Sequence, residues 1–360
     1  MKRALQIAFG LGLSAFFIWW SLRGVDLGKV GHAIEAALAG PRVLWVVAMV
    51  AVLALVHFVR AWRWGLLLKP LASAPFREIN AIAAVGFMAL MVMPLRLGEL
   101  GRPSLAAEKL KIRMSGALAS VVVERVTDGL FMGALLVGLL WTVGGRSASA
   151  HLAHVRVGAV IVALIFALGL AFLIVAFVHR QAANRWTRRV VGVFSTRLAE
   201  RLCGMLDSFI DGLAVVPSWT RFAEVVGLTA IYWALNALGI VLISRAFALR
   251  LTFLQATTVL GLQVIGVMIP AGPGMVGTMQ AFTALGMKLF RTTLHPGLSA
   301  GALGASVAAC VNTGWALSFA QQVSFGLYFV LLGRVELNHL FSHLWSRRRV
   351  PEAEQVPAGS

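Results

Sequence analysis

Residues 253–290 read FLQATTVLGLQVIGVMIPAGPGMVGTMQAFTALGMKLF. This apolar stretch is interrupted by Pro270-Ala271-Gly272-Pro273-Gly274. A helix needs about 20 apolar residues to cross a bilayer, and neither arm of the stretch is long enough. Pro and Gly unwind a helix and free its carbonyls and amides. Such backbone survives at membrane depth only when it is buried in protein or lines a wet cavity. A segment that enters the membrane and turns back is therefore expected. A new helix should begin near Met275, with its N-terminal amides aimed at the break, where they attract anions. Gly272, Pro273, Gly274, Gly277 and Gln280 are the candidate binding positions here, and a simple packing kink is the competing reading. Working outward, Ile79–Pro94 is a second short apolar segment, 16 residues long and ending in Pro.

The composition agrees with a membrane setting. The 360 residues are 59% hydrophobic and only 13% charged, with a mean hydropathy of +0.85. A soluble domain is about a quarter charged and could not cover so much apolar surface. The net charge is +18. Because the basic residues sit in short loops between apolar stretches, anionic lipid headgroups are the expected partners rather than nucleic acid. Two cysteines, Cys203 and Cys310, make neither a disulfide framework nor a zinc spacing. No cofactor fingerprint or phosphate-binding loop is present, and no cofactor is expected.

Six full spans are expected at Leu5–Leu22, Val43–Val59, Ala117–Val143, Val157–Val178, Val225–Ser244 and Thr313–Gly333. Lys and Arg number 22 in residues 1–4, 60–78, 95–114, 179–224 and 334–360, against nine in the opposite loops. That bias places both termini in the cytoplasm of a bacterial-type inner membrane. Each half then reads span, span, re-entrant segment, span, with the re-entrant segments entering from opposite sides. The expected fold is all-α, a polytopic helix bundle forming one domain over 1–350, with a disordered tail at 351–360. An inverted repeat of 1–143 and 157–334 would place a substrate site at the broken helices. Between them, Arg185, Arg188, Arg189, Arg197 and Arg201 alternate with apolar residues, as in an amphipathic helix lying on anionic lipid.

Three further clusters carry charge. In Pro94-Leu95-Arg96-Leu97-Gly98-Glu99-Leu100-Gly101-Arg102-Pro103, a helical return leg would put Arg96, Glu99 and Arg102 on roughly one face. Arg can grip phosphate through two parallel hydrogen bonds, and Glu99 could hold the two arginines in place. An ordinary loop with exposed ion pairs is the other reading. Glu124-Arg125-Val126-Thr127-Asp128 lies inside an apolar span. Each charge there costs a few kcal/mol, so the three must be paired or face water. They form a structural ion-pair knot, a substrate site, or both, with Arg96 and Arg102 as candidate partners. At Arg60-Ala61-Trp62-Arg63-Trp64 the choice is between interface anchors and a basic lip, with Arg63 near the entrance.

Taken together, Arg-x-x-Arg-Trp at 60–64, Pro-x-Arg-x-Gly-Glu-x-x-Arg-Pro at 94–103, Glu-Arg-x-x-Asp at 124–128 and Pro-x-x-Pro-Gly-x-x-Gly at 270–277 resemble the lysylphosphatidylglycerol synthase transmembrane family, the flippase-like domain family. The resemblance spans nearly the whole chain. It implies a lipid-translocating domain, without the aminoacyl-transferase domain that makes the lipid in the best-known members. Residue 280 is Gln where many relatives carry Glu, which points away from a cationic headgroup. The expectation is a non-enzymatic translocase of a phosphate-headgroup lipid. The alternatives are a membrane-embedded transferase acting on a polyprenyl phosphate or phospholipid, and a non-catalytic subunit working with envelope-biosynthesis proteins.

Overall fold

The computed structural model describes residues 26–93, 98–143, 150–191, 195–212, 219–269, 271–295 and 297–335, together with a few positions between 12 and 19. Most of the expected first span, Arg96, Pro270 and the tail lie outside these residues. Everything described is helix or short connection, as the composition leads one to expect. Among the described residues, three helical stretches, Gly40–Leu68, Ala223–Ala246 and Ala300–Leu331, are long and apolar enough to cross a membrane by length and composition.

The first helix, α1 (Leu27–Leu38), starts at Asp26, whose carboxylate accepts hydrogen bonds from the amides of Gly28 and Lys29. After a short turn come α2 (Val43–Leu68) and then α3 (Phe76–Val92), which begins behind Pro75. The chain folds back into α4 (Gly101–Lys109). This reversal needs glycine. A Cβ on Gly98 would lie 2.2 Å from the carbonyl oxygen of Ala89, and one on Gly86 would lie 2.1 Å from Cγ of Arg102. The return leg therefore runs against the middle of α3. Lys109 donates to the carbonyl of Arg334, tying the end of α4 to the far end of the chain.

Next are α5 (Met114–Val143), α6 (Ala150–Val178), α7 (Arg180–Val191), α8 (Thr196–Gly212) and α9 (Trp219–Ala246). The second broken segment is α10 (Phe253–Met268), a 3-10 turn at Pro273–Met275, and α11 (Thr278–Lys288). Short α12 (Arg291–Leu294) and long α13 (Ala300–Leu331) complete the order. Helix α11 restarts three residues later than Met275 because Gly274 (φ 69°) and Gly277 (φ 90°) both sit in the left-handed region, which a helix cannot accommodate. It packs back on α10, where Gly286 lies close enough that a Cβ would meet Cα of Val259 at 2.9 Å.

Helices α2 and α9 pack against each other at the centre. Each also packs on the broken helix that follows it, α2 on α3 and α9 on α10, while α3 packs on α13 and α10 on α5. A buried core of Met49, Ile243, Phe247, Val259 and Met287 joins α2, α9, α10 and α11. Val157, Ile161, Leu164, Ile165 and Leu168 of α6 stay exposed, as lipid-facing side chains would.

Three sequence expectations change. Helix α2 continues through Arg60 and Arg63 to Leu68, and α13 starts at Ala300 rather than near Thr313. The amphipathic region is two helices, not one. Asp207 of α8 accepts from Arg180 (2.6 Å) and Asn184 (2.8 Å) of α7, and α8 buries Ala199, Cys203 and Ile210 as it packs on α5. On α7, Arg185, Arg188 and Arg189 are exposed. The hydrogen bond from Arg180 holds the Asp207 carboxyl below its ordinary 3.8. A depressed carboxylate stabilises above its unfolded pKa, and that stabilisation is lost as the pH falls through the folded pKa. Asp207→Asn should therefore speed amide exchange in 180–212 at pH 7. The difference from the unsubstituted chain should vanish as the pH is lowered through the acid range.

Candidate functional site

One buried ion cluster joins four helices. On α2, Arg60 and Arg63 are i, i+3 neighbours and face the same way. On α5, Glu124 and Asp128 are i, i+4 neighbours pointing back at them. Arg63 grips Asp128 with both arms of its fork, Nη1 to Oδ1 at 2.5 Å and Nη2 to Oδ2 at 2.9 Å. Its Nη2 also donates to Glu124 (3.2 Å), and its Nη1 to Thr229 Oγ1 of α9 (3.1 Å). Arg102 comes in from the return leg and donates to the other Glu124 oxygen at 2.8 Å. Arg63 and Glu124 are each 1% exposed.

Aromatic rings carry the cations where carboxylates do not. The guanidinium of Arg60 lies 3.5 Å above the Phe87 ring and 3.9 Å from Glu124. Arg102 stands over Phe87 and Trp64, and Trp64 is fixed by donating to Ser120 at 3.1 Å. Trp233 donates to Asp128 at 3.2 Å, and Tyr232 lies beneath Arg63. Gly86 makes this possible, because any side chain there would occupy the space of Arg102. Gly86→Ala is expected to push Arg102 off Glu124 and to destabilise by about 1–3 kcal/mol, as overpacked cores do. A lower melting midpoint in detergent would register it.

The cluster has a buried side and an open side. The open side faces a cavity of about 510 Å³ lined by Arg60, Glu99, Arg125 and Asp128, by Leu90 and Met91 of the first broken segment, and by Met268, Met275 and Met279 of the second. Nε of Arg125 is buried and finds no hydrogen-bond partner among the described residues. A smaller chamber of about 120 Å³ adjoins it, sharing Arg60, Tyr232, Asn236, Gln263 and Gln322. Its further polar wall is neutral, made of His57, Ser318 and Gln321. The Nε2 of Gln321 and Oε1 of Gln322 are also buried, with no hydrogen-bond partner among the described residues. In all, four arginines (60, 63, 102 and 125) meet three carboxylates (99, 124 and 128). Two charges of each sign line the cavity itself, so the single excess positive charge belongs to the cluster as a whole and attracts an anion from behind the cavity wall. Among the described residues no group of three His, Cys, Asp or Glu side chains could hold a metal ion.

The sequence-derived positions are thus partly brought together. Glu99, Arg102, Glu124, Arg125 and Asp128 converge. Arg63 is not at an entrance, because its burial and its two carboxylate partners place it at the heart of the cluster, and Arg60 takes the cavity side instead. Gly272, Pro273, Gly274 and Gly277 shape the break without lining the large cavity. The carbonyl of Gly274 accepts from Trp315 at 2.8 Å, which docks the break on α13. Gln280 is turned inward, with its Oε1 accepting from the Gly277 amide at 2.7 Å, and borders only a small cavity of about 70 Å³. Sequence reasoning missed Thr229, Tyr232, Trp233 and Asn236. Their spacing of three, four and seven residues on an otherwise apolar helix was the available signal, since it lines up polar groups on one face.

The model of the family described as "Lysylphosphatidylglycerol synthase TM region" matches residues 7–320. No curated protein matches the chain.

Proposed function

The chain belongs to the lysylphosphatidylglycerol synthase TM region family, and on that premise we propose that it is a membrane lipid translocase. The observation that carries this reading is the cavity between the two broken segments, lined by Arg60 and Arg125 in front of an ion cluster that holds one more arginine than carboxylate. Arg60 and Arg125 receive the phosphate of a lipid headgroup, and Arg fits that role because its planar fork matches phosphate oxygens. Asp128 and Glu99 keep the arginines oriented and limit how tightly the anion is held. Arg63, Glu124 and Arg102 form the rigid wall behind them. The amide-lined chamber takes the rest of the headgroup, while the acyl chains remain in the bilayer.

The packing scheme favours an inverted repeat. Each central helix packs on its own broken helix, and each broken helix packs on the closing span of the other half. Two such halves can rock about a fixed site near the midplane, with 270–277 as a hinge. The basic bias of the loops supports a bacterial-type inner membrane with both termini in the cytoplasm.

The test is made on cells with and without the gene. A phospholipid or polyprenyl-phosphate lipid whose leaflet distribution changes, with no new covalent species in the lipid extract, supports translocation. A new covalent lipid with unchanged leaflet distribution would replace this reading by a membrane transferase.

A further inference from the structure

Helices α2 and α9 run antiparallel, since Arg63 meets Thr229 near one end and Arg245 stacks over Trp45 near the other. From Arg63 back to Arg42 is about 30 Å of helix, and from Thr229 on to Arg245 about 24 Å. At that far end, about one hydrocarbon thickness from the ion cluster, lies a second cavity of about 580 Å³. Arg42, Arg245, Arg250 and His295 line it, together with Trp45 and Thr252. The arginines come from two distant parts of the chain, Arg42 from one and Arg245 and Arg250 from the other, and the backbone N–H of Arg250 donates to the carbonyl of Leu294 at 2.8 Å, joining two of its walls.

The electrostatics of this place are one-sided. Among the described residues no carboxylate lines it and none of the three arginines is ion-paired. The nearest partner of Arg245 is a ring, 5.3 Å from its guanidinium. Arg42 is the N-cap of the 26-residue α2, and Thr252 is the N-cap of the 16-residue α10. Both helix ends carry partial positive charge, which makes Arg42 a cation at the unfavourable end of its helix. The Nδ1 of His295 is buried without a hydrogen-bond partner among the described residues. Like charges gathered at two helix N-termini repel one another, and a bound anion reverses the sign of that term.

We infer that this cavity is a second oxyanion site, taking a phosphate group at the opposite end of the central helix pair from the ion cluster. Two sources fit the chemistry: free inorganic phosphate and the headgroup of an anionic phospholipid. The site stands on its own residues and does not depend on the central cavity's being a transport site.

The full chain is purified in detergent beside Arg245→Gln/Arg250→Gln and beside Arg42→Gln. Two probes are used: inorganic phosphate, read by the shift in melting midpoint, and dioleoylphosphatidylglycerol against dioleoylphosphatidylcholine, read by native mass spectrometry. The double variant should bind the anionic probe about tenfold or more weakly, the loss of roughly one charge-assisted contact, and phosphatidylcholine should bind all chains alike. A difference seen with both probes makes the ligand a free or lipid-borne phosphate, and one seen with phosphatidylglycerol alone makes it a lipid headgroup. The same difference should persist when Arg125→Gln is added, because that residue lies at the other end. Should the double variant fail to fold, Arg42→Gln alone, at the exposed end of α2, decides. Equal binding of both anionic probes by the unsubstituted and substituted chains overturns the inference.

Discussion

Arg63→Leu is expected to be the most damaging single substitution in the chain. It removes both arms of the fork from Asp128 and one of the two closest arginine contacts of Glu124, leaving two carboxylates buried with too few partners. Breaking a buried pair from one side costs about 3–5 kcal/mol, because the remaining charge stays desolvated. That is a large part of the stability of an ordinary domain. The variant should be recovered in much lower yield and should melt well below the parent in detergent. Lysine should not rescue it, since an ammonium cannot reproduce the two-armed contact. Removing the charges together should do better. Arg63→Met with Asp128→Leu leaves Glu124 to Arg102 and Arg60, and should recover much of the lost stability. Equal melting midpoints for Arg63→Leu and the parent would mean that the cluster does not hold these helices together.

The second large effect is functional. Arg60 and Arg125 face the cavity, and neither makes a close two-armed ion pair like that of Arg63. Arg60→Gln/Arg125→Gln should therefore fold, with a melting midpoint near that of the parent. It should nevertheless lose lipid-phosphate binding by at least about 100-fold, taking about 1.5–3 kcal/mol for each of the two charged hydrogen bonds lost. Phe87→Leu should act in the same direction but more weakly, by removing the ring under Arg60. A double variant that binds as the parent does would move the headgroup site elsewhere.

What the sequence discloses here follows from what a bilayer penalises. The Pro/Gly break at 270–274 was legible because such backbone has few tolerable places at membrane depth. Glu124, Arg125 and Asp128 were legible because three charges in an apolar helix require partners. Arg63 was misread for a related reason. Arg and Trp near the end of an apolar stretch usually mark the interface, and nothing nearby in sequence shows that α2 runs on to Leu68. The partners that bury Arg63 are 61, 65 and 166 residues away. Thr229, Tyr232 and Trp233 were hidden because a helix that is apolar overall gives a few polar residues little weight. Gln280 was placed on the correct segment but credited with the wrong task. Only the left-handed turn at Gly277 reveals that its side-chain oxygen is taken by a backbone amide.

The proposal is that this arginine-lined cavity carries lipid phosphate across a membrane. It is tested most directly by reconstituting the full chain into liposomes that hold a headgroup-intact, acyl-labelled phosphatidylglycerol, and following how fast an impermeant quencher reaches the label of the inner leaflet. The parent chain should expose the inner-leaflet label faster than protein-free liposomes, and Arg60→Gln/Arg125→Gln should fall to the protein-free rate at equal incorporation. Identical rates with the parent chain, the double variant and empty liposomes, repeated with a polyprenyl-phosphate lipid, would contradict it.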